Sequence, residues 1–290
     1  RAVVTSADNA SKVEGFDGTR WLIGEGLPGW TDFDAALAGA DARFAAEPTA
    51  ADDPALLYFT SATTGEPKMV LHSQASYGLA HRVTGGLWLD LRPGDVHWNL
   101  SDPGWAKAAW SSFFGPWHHG ACVFALDTSG RFDPVRTLEA LAQYPITTWC
   151  APPTAMRLIV REPLERYRFP QLRHCVTAGE PLNPEVLERW REATGLTLHE
   201  AYGQTETIVL VGNFRALGKP VRPGSMGLPT PGMNVVLLDD RLREIADDRE
   251  GEIALRVTPD RPLGLFREYW NHPEEMARQF RNGYYLTGDR

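Results

Sequence analysis

Short apolar runs rich in β-formers alternate along the chain with stretches whose apolar positions recur at helical spacing. The runs at 56–60, 96–100, 122–126, 146–150, 172–176 and 197–201 are too short for helices and predict strands. Taken together they are mostly apolar, and most do not alternate strictly between apolar and polar positions. A strand buried on both faces requires that pattern, and a parallel sheet with helices on each side supplies it. Asp133-Pro134 predicts a helix start, because Asp can cap free N–H groups and Pro fits the first turn. Asn183-Pro184 repeats the signal before a helix over 185–194, which Gly195 should stop. The Ala-rich stretch 35–51 predicts a further helix running into a loop.

The pattern changes near residue 219. Gly and Pro become dense from Pro220 to Gly232, and the strand-like runs 235–238 and 252–257 follow with no long helix between them. The expected fold is therefore α/β. Mainly parallel sheets layered with helices would occupy 1–219, and a β-rich, barrel-like subdomain would occupy 220–290.

Composition narrows the functional classes. The 290 residues are 43% hydrophobic and 23% charged, a soluble globular profile. Apolar runs such as 121–126 are too short to span a bilayer, so no integral membrane segment is expected. No signal-peptide pattern opens the sequence. Net charge is −8 with no block of Lys and Arg, which argues against a nucleic-acid groove. Bound polyphosphate would then need backbone N–H groups, a few cations and Mg²⁺. Cys122, Cys150 and Cys175 form no C-x-x-C pair and no ligand spacing with the eight His. They read as small buried hydrophobes in a reducing compartment, and a cytoplasmic location is expected.

The most informative stretch runs from Tyr58 to Lys68. A strand leads into Thr60, Ser61, Ala62, Thr63, Thr64 and Gly65, followed by Glu66-Pro67-Lys68. Small residues let the backbone fold round an anion, and its N–H groups and the Thr and Ser hydroxyls can donate to phosphate oxygens. Lys68 adds a point charge. A hydroxyl-rich surface turn is the plain alternative. The loop is not a Walker A loop, because the G-x-x-x-x-G-K-[ST] spacing is absent. Gly24-Glu25-Gly26-Leu27-Pro28-Gly29 matches G-x-G-x-x-G, but Pro28 removes a donor where a pyrophosphate would need one.

These residues resemble the phosphate-binding signature of the adenylate-forming superfamily of acyl-CoA synthetases, firefly-type luciferases and peptide-synthetase adenylation domains. Three further segments resemble its signatures in the expected order. They are Thr177-Ala178-Gly179-Glu180-Pro181-Leu182, Glu200-Ala201-Tyr202-Gly203-Gln204-Thr205-Glu206-Thr207 and Tyr285-Leu286-Thr287-Gly288-Asp289-Arg290. Within the superfamily, Ser101-Asp102-Pro103-Gly104-Trp105, Phe132-Asp133-Pro134, Phe169-Pro170-Gln171-Leu172-Arg173 and Arg261-Pro262-Leu263-Gly264 are similar to medium-chain acyl-CoA synthetases.

The resemblance implies activation of a carboxylic acid by ATP to an acyl-adenylate, followed by transfer to CoA as co-substrate. Thr60 to Gly65 and Lys68 would hold the β- and γ-phosphates. Gly179, Glu180 and Pro181 would line the adenine slot. Within Glu200, Ala201, Tyr202, Gly203 and Gln204, Tyr202 would stack on the base. Thr205 would donate to the α-phosphate and the substrate carboxylate, Glu206 would bind Mg²⁺, and Asp289 would accept from the ribose hydroxyls. Lys68, Thr205 and Glu206 carry the implied catalysis. Acetyl-specific relatives have Trp where Gly203 stands, so Gly203 implies an open pocket for a medium-chain or aryl acid, with Trp105 also lining it. Ala62 replaces the usual Gly, at a cost of about 1–2 kcal/mol if its φ is positive. The family's C-terminal lid would follow Arg290, so this stretch alone is expected to turn over little. An adenylation domain serving a carrier protein and a non-catalytic nucleotide-binding module are the competing readings. No oligomeric state follows.

Overall fold

Most of the apolar runs become strands of one seven-stranded sheet in the computed structural model, which describes residues 1–24, 26–60, 67–127, 130–246 and 248–290. From edge to edge its strands are Leu228–Pro229, Val209–Gly212, Leu198–Gly203, His174–Ala178, Thr148–Cys150, Val96–Asn99 and Cys122–Phe124. The last five pair in parallel and the first two antiparallel. Successive side chains on a strand face opposite ways. Trp149, Cys175 and Leu198 accordingly join one core, with Leu138, Leu141 and Trp190 from the helices Pro134–Gln143 and Pro184–Thr194. Their neighbours Cys150 and Val176, with Ala201, join another that contains Trp88 and Trp110. Burial on both faces accounts for the continuous apolar runs.

The amino ends of the parallel strands are clamped by charge. Arg173 reaches Asp90 at 2.6 Å and also pairs with Asp95, while the Thr147 hydroxyl donates to Asp95 at 2.8 Å. Burial alone would raise the Asp95 pKa, but the bonds from Arg173 and Thr147 hold it below the usual carboxylate range. The carboxyl ends are left open.

The 56–60 run departs from the parallel pattern. Pro54–Thr60 pairs antiparallel with Lys68–Ser73, with Thr60 opposite Lys68, and Glu268–Tyr269 pairs with the far side of Lys68–Ser73. The expected phosphate loop is thus the connection of a hairpin, but Ser61, Ala62, Thr63, Thr64, Gly65 and Glu66 lie outside the described residues. Beyond it, Val235–Leu238, Glu252–Arg256, Tyr284–Leu286 and Phe280–Arg281 form a four-stranded antiparallel sheet, the β-rich part. The pairing of Glu268–Tyr269 with Lys68–Ser73 crosses the boundary expected near residue 219.

By contact, the chain forms two units, Arg1–Pro48 and Thr49–Arg290. The first holds the parallel strands Ala2–Ser6, Thr19–Ile23 and Thr31–Asp32 and a helix, Phe33–Ala38. The Ala-rich stretch 35–51 thus holds a helix that runs into a loop, as expected, and the helix ends at Ala38. None of its residues is buried, and Gly39 follows directly, so neither an apolar stripe nor a good helix former extends it. Among the described residues no helix is long and apolar enough to cross a membrane.

The two helix starts differ in their caps. Asp133 accepts from the N–H of Val135 at 2.9 Å and of Arg136 at 3.2 Å. The Asn183 side chain makes no capping bond, so Pro184 and the φ of 74° at Gly195 bound that helix without it. Asp133→Ala should therefore cost about 1 kcal/mol. Asn183→Ala should stay within about 0.5 kcal/mol. Urea unfolding midpoints of the two variants measure the difference.

Candidate functional site

A cavity of about 750 Å³ opens at the carboxyl ends of the parallel strands. Leu100, Pro152, Gly179 and Tyr202 line it from the ends of four neighbouring strands. Open parallel sheets bind ligands there, because loops can diverge beyond the last ladder bonds. The cavity brings together Trp105, Gly179, Glu180, Tyr202, Gly203, Gln204 and Thr205 of the expected residues. A second cavity of about 550 Å³, lined by Glu165, Phe169, Arg189 and Leu196, includes none of them.

The Tyr202–Thr205 stretch is shaped by Gly203. The pairing of Leu198–Gly203 with Val209–Gly212 slips between Tyr202 and Gly203, and a Cβ on Gly203 would lie 2.6 Å from the Ile208 carbonyl oxygen. The chain can double back this tightly only without a side chain. The turn closes as the Gln204 N–H donates to the Thr207 hydroxyl at 3.0 Å. Its Thr205 carbonyl accepts from His72 Nε2 at 2.7 Å. The Nδ1 atom of His72 then faces the Ser76 hydroxyl at 3.2 Å. Burial pushes the His72 pKa down to about 4, so the ring is neutral near pH 7. His72 belongs to the second strand of the 54–73 hairpin, so this bond ties that hairpin to the Thr205 turn.

Glu206 lies just behind. Its carboxylate accepts from the Tyr269 hydroxyl at 2.8 Å, and its carbonyl accepts from the Phe266 N–H at 2.7 Å. Burial raises its pKa, partly opposed by the Tyr269 bond and the charge of Lys68. Lys68 sits 5.1 Å over the Tyr269 ring and pairs with Glu275 at 2.7 Å. On the cavity's other flank, the Tyr202 hydroxyl donates to Asp289 Oδ2 at 2.5 Å, and Gln204 Nε2 donates to the same oxygen at 2.9 Å. Burial, and then the Asp289 contact, raise the Tyr202 pKa.

The chain matches the AMP-binding enzyme family over residues 4–270. The chain belongs to the AMP-binding enzyme family. Acyl-coenzyme A synthetase ACSM3, mitochondrial, of Mus musculus is 47% identical over 262 residues, 90% of this chain and 45% of the mouse protein. The Homo sapiens protein of the same name is 43% identical over 97% of this chain and 47% of its own length. The crystal structure of Brucella canis acyl-CoA synthetase matches with a TM-score of 0.88 at 32% identity, over 99% of this chain and 53% of that one. The chain spans about half the length of the curated relatives it matches.

Against that family background, the remaining expected residues separate. Thr60 sits at the hairpin base opposite Lys68. Glu180 turns to Arg157 at 3.0 Å and to the Thr154 N–H at 3.1 Å, and the Pro181 carbonyl accepts from Arg157. Glu200 and Ala201 are buried in their strand, where burial raises the Glu200 pKa. Trp105, 68% exposed, stands at the cavity mouth. Sequence reasoning missed His72, Tyr269 and Lys107, whose ammonium donates to the Ala178 carbonyl at 2.8 Å, and gave Tyr285 no role beyond its place in a motif. His72 carries no local signal: it is one of three polar residues in the strand Lys68–Ser73, and its partner lies 133 positions away.

Replacing His72 with Phe should leave the Thr205 carbonyl without that donor, at a cost of about 1–3 kcal/mol at pH 7. A pH dependence follows from the depressed pKa. Between 6.5 and about 4 the unfolded chain binds the His72 proton and the native state does not. Stability from this group is complete above pH 6.5 and falls as pH drops towards 4. Unfolding titrations should give a shallower slope for His72→Phe across that window.

Proposed function

We propose that this chain supplies the nucleotide and acyl sites of an ATP-dependent acyl-CoA synthetase. The reaction begins when a substrate carboxylate attacks the α-phosphate of ATP, giving an acyl-adenylate and pyrophosphate. The CoA thiol then displaces AMP to form the thioester. The observation that carries this reading is the single cavity shared by Gly179, Glu180 and Tyr202–Thr205, tied to the phosphate hairpin by His72. The similarity to named acyl-CoA synthetases supports it.

The chemistry asks chiefly for positioning and for stabilisation of negative charge. Tyr202 and Gly179 would border the adenine. Thr205, on a turn fixed by His72 and Thr207, would present its hydroxyl to the α-phosphate and the attacking carboxylate. Lys68 and the hydroxyls from Thr60 onward would hold the departing pyrophosphate. Asp289 would accept from the ribose.

Glu206 suits a divalent cation. It is a buried carboxylate whose burial disfavours its charge, so an adjacent cation would stabilise the ionised form. Mg²⁺ is commonly held by one or two carboxylates plus substrate phosphates. Among the described residues there is no cluster of three acidic, His or Cys side chains to hold a metal without them. Bound there, Mg²⁺ would neutralise phosphate charge.

The acid is a medium-chain or aryl one. Leu100, Leu158, Ile208 and Val209 give the cavity apolar walls, and each methylene buried against them adds about 0.8 kcal/mol. The mitochondrial names of the relatives favour that compartment over the cytoplasmic one expected from cysteine usage. Calorimetry with ATP, with and without Mg²⁺, tests the assignment of Glu206. Glu206→Gln should lose on the order of tenfold in Mg²⁺-dependent affinity. Affinity that rises with Mg²⁺ as much as in the wild type would contradict the role.

A further inference from the structure

Both ends of the Gln204 carboxamide are bonded to protein partners. Its Nε2 donates to the Thr287 carbonyl at 2.9 Å and to Asp289 Oδ2 at 2.9 Å, and its Oε1 accepts from the buried Tyr285 hydroxyl at 2.9 Å. Both N–H groups and one carbonyl lone pair are therefore in use. A side chain so occupied has no donor left for a nucleotide. All three partners lie on the segment Tyr285 to Asp289, more than 80 positions along the chain from Gln204.

Asp289 is shaped by the same bonds. Its Oδ2 accepts from both Tyr202 and Gln204, which fills the two lone-pair directions of that oxygen. Among the described residues no hydrogen bond engages Oδ1. The Asp289 N–H donates to the Thr287 hydroxyl at 3.1 Å, so the backbone beneath the carboxylate is held as well.

We infer that Gln204 is a positioning residue for Asp289: it fixes the carboxylate so that Oδ1 alone meets a vicinal diol. The inference rests on the nucleotide reading above. It differs from a direct contact role for Gln204, and it reduces the ribose contact of Asp289 to one oxygen. Tyr285 takes part at one remove, by orienting the carboxamide so that its NH₂ rather than its carbonyl faces Asp289. With the amide reversed, two acceptors would face each other.

Removing the hydroxyls of the ligand separates this role from a general one. Binding of Mg-ATP and of Mg-2′,3′-dideoxy-ATP would be measured by calorimetry on the wild-type chain, Gln204→Leu, Tyr285→Phe and Asp289→Asn. Wild type should prefer ATP by about tenfold, the size of a hydrogen bond to a charged group. Gln204→Leu and Asp289→Asn should each weaken ATP by about tenfold and leave the dideoxy nucleotide within about twofold. Tyr285→Phe, which keeps the buried ring, should act in the same direction by about threefold, and it serves if the leucine variant does not fold. Equal weakening of both nucleotides in Gln204→Leu would overturn the inference, and so would full retention of the ATP preference in Gln204→Leu while Asp289→Asn loses it. Absence of any preference in the wild type would remove the ribose role of Asp289 itself, and this inference with it.

Discussion

One hydrogen bond, from His72 Nε2 to the Thr205 carbonyl, joins the two halves of the site. His72 lies on the second strand of the hairpin, and Thr205 lies on the turn that follows Leu198–Gly203 at the parallel sheet's carboxyl end. A buried carbonyl without a donor is costly, as is a buried imidazole without a partner. Each group therefore fixes the other. The small antiparallel sheet is held against the large one beside the cavity that Thr205 lines. Tyr269 strengthens the junction from the third strand of the hairpin sheet by donating to Glu206.

The rest of the molecule gives that junction its setting. Arg173 between Asp90 and Asp95 closes the amino ends of the parallel strands, and the apolar cores on both faces hold them in register. Their carboxyl ends splay into loops and leave the cavity. Gly203 allows the turn to pass within contact distance of Ile208, a spacing that any larger residue would push apart. The open acyl space read from that glycine thus coincides with a backbone constraint, and the same residue serves both readings.

Much of this was legible in the sequence, and the reasons differ by element. The parallel strands were readable because burial on both faces leaves short runs with few charged residues, as at Thr148–Cys150 and His174–Ala178. The Pro134–Gln143 helix was readable through its capping Asp133. The Ala-rich stretch 35–51 was legible as a helix running into a loop but not in its proportions, since alanine content signals helix propensity while an apolar stripe decides how long a helix lasts. The motif residues around the cavity were named from their resemblance to a family. Their supports were not, because His72 and Tyr269 act across long sequence separations on partners that only the fold brings near. Gln204 is the clearest instance: the motif marks it as a nucleotide contact, whereas its three hydrogen bonds run to the protein.

The central claim is that the hairpin and the Tyr202–Glu206 turn form one nucleotide site. Hydrogen exchange with and without Mg-ATP measures this directly. Amides of residues 68–73 and 202–206 should gain protection together, over the same range of nucleotide concentration, while residues 165–172 and 189–196 around the second cavity stay unchanged. Protection of only one of the first two segments, or of the second cavity instead, would contradict the account.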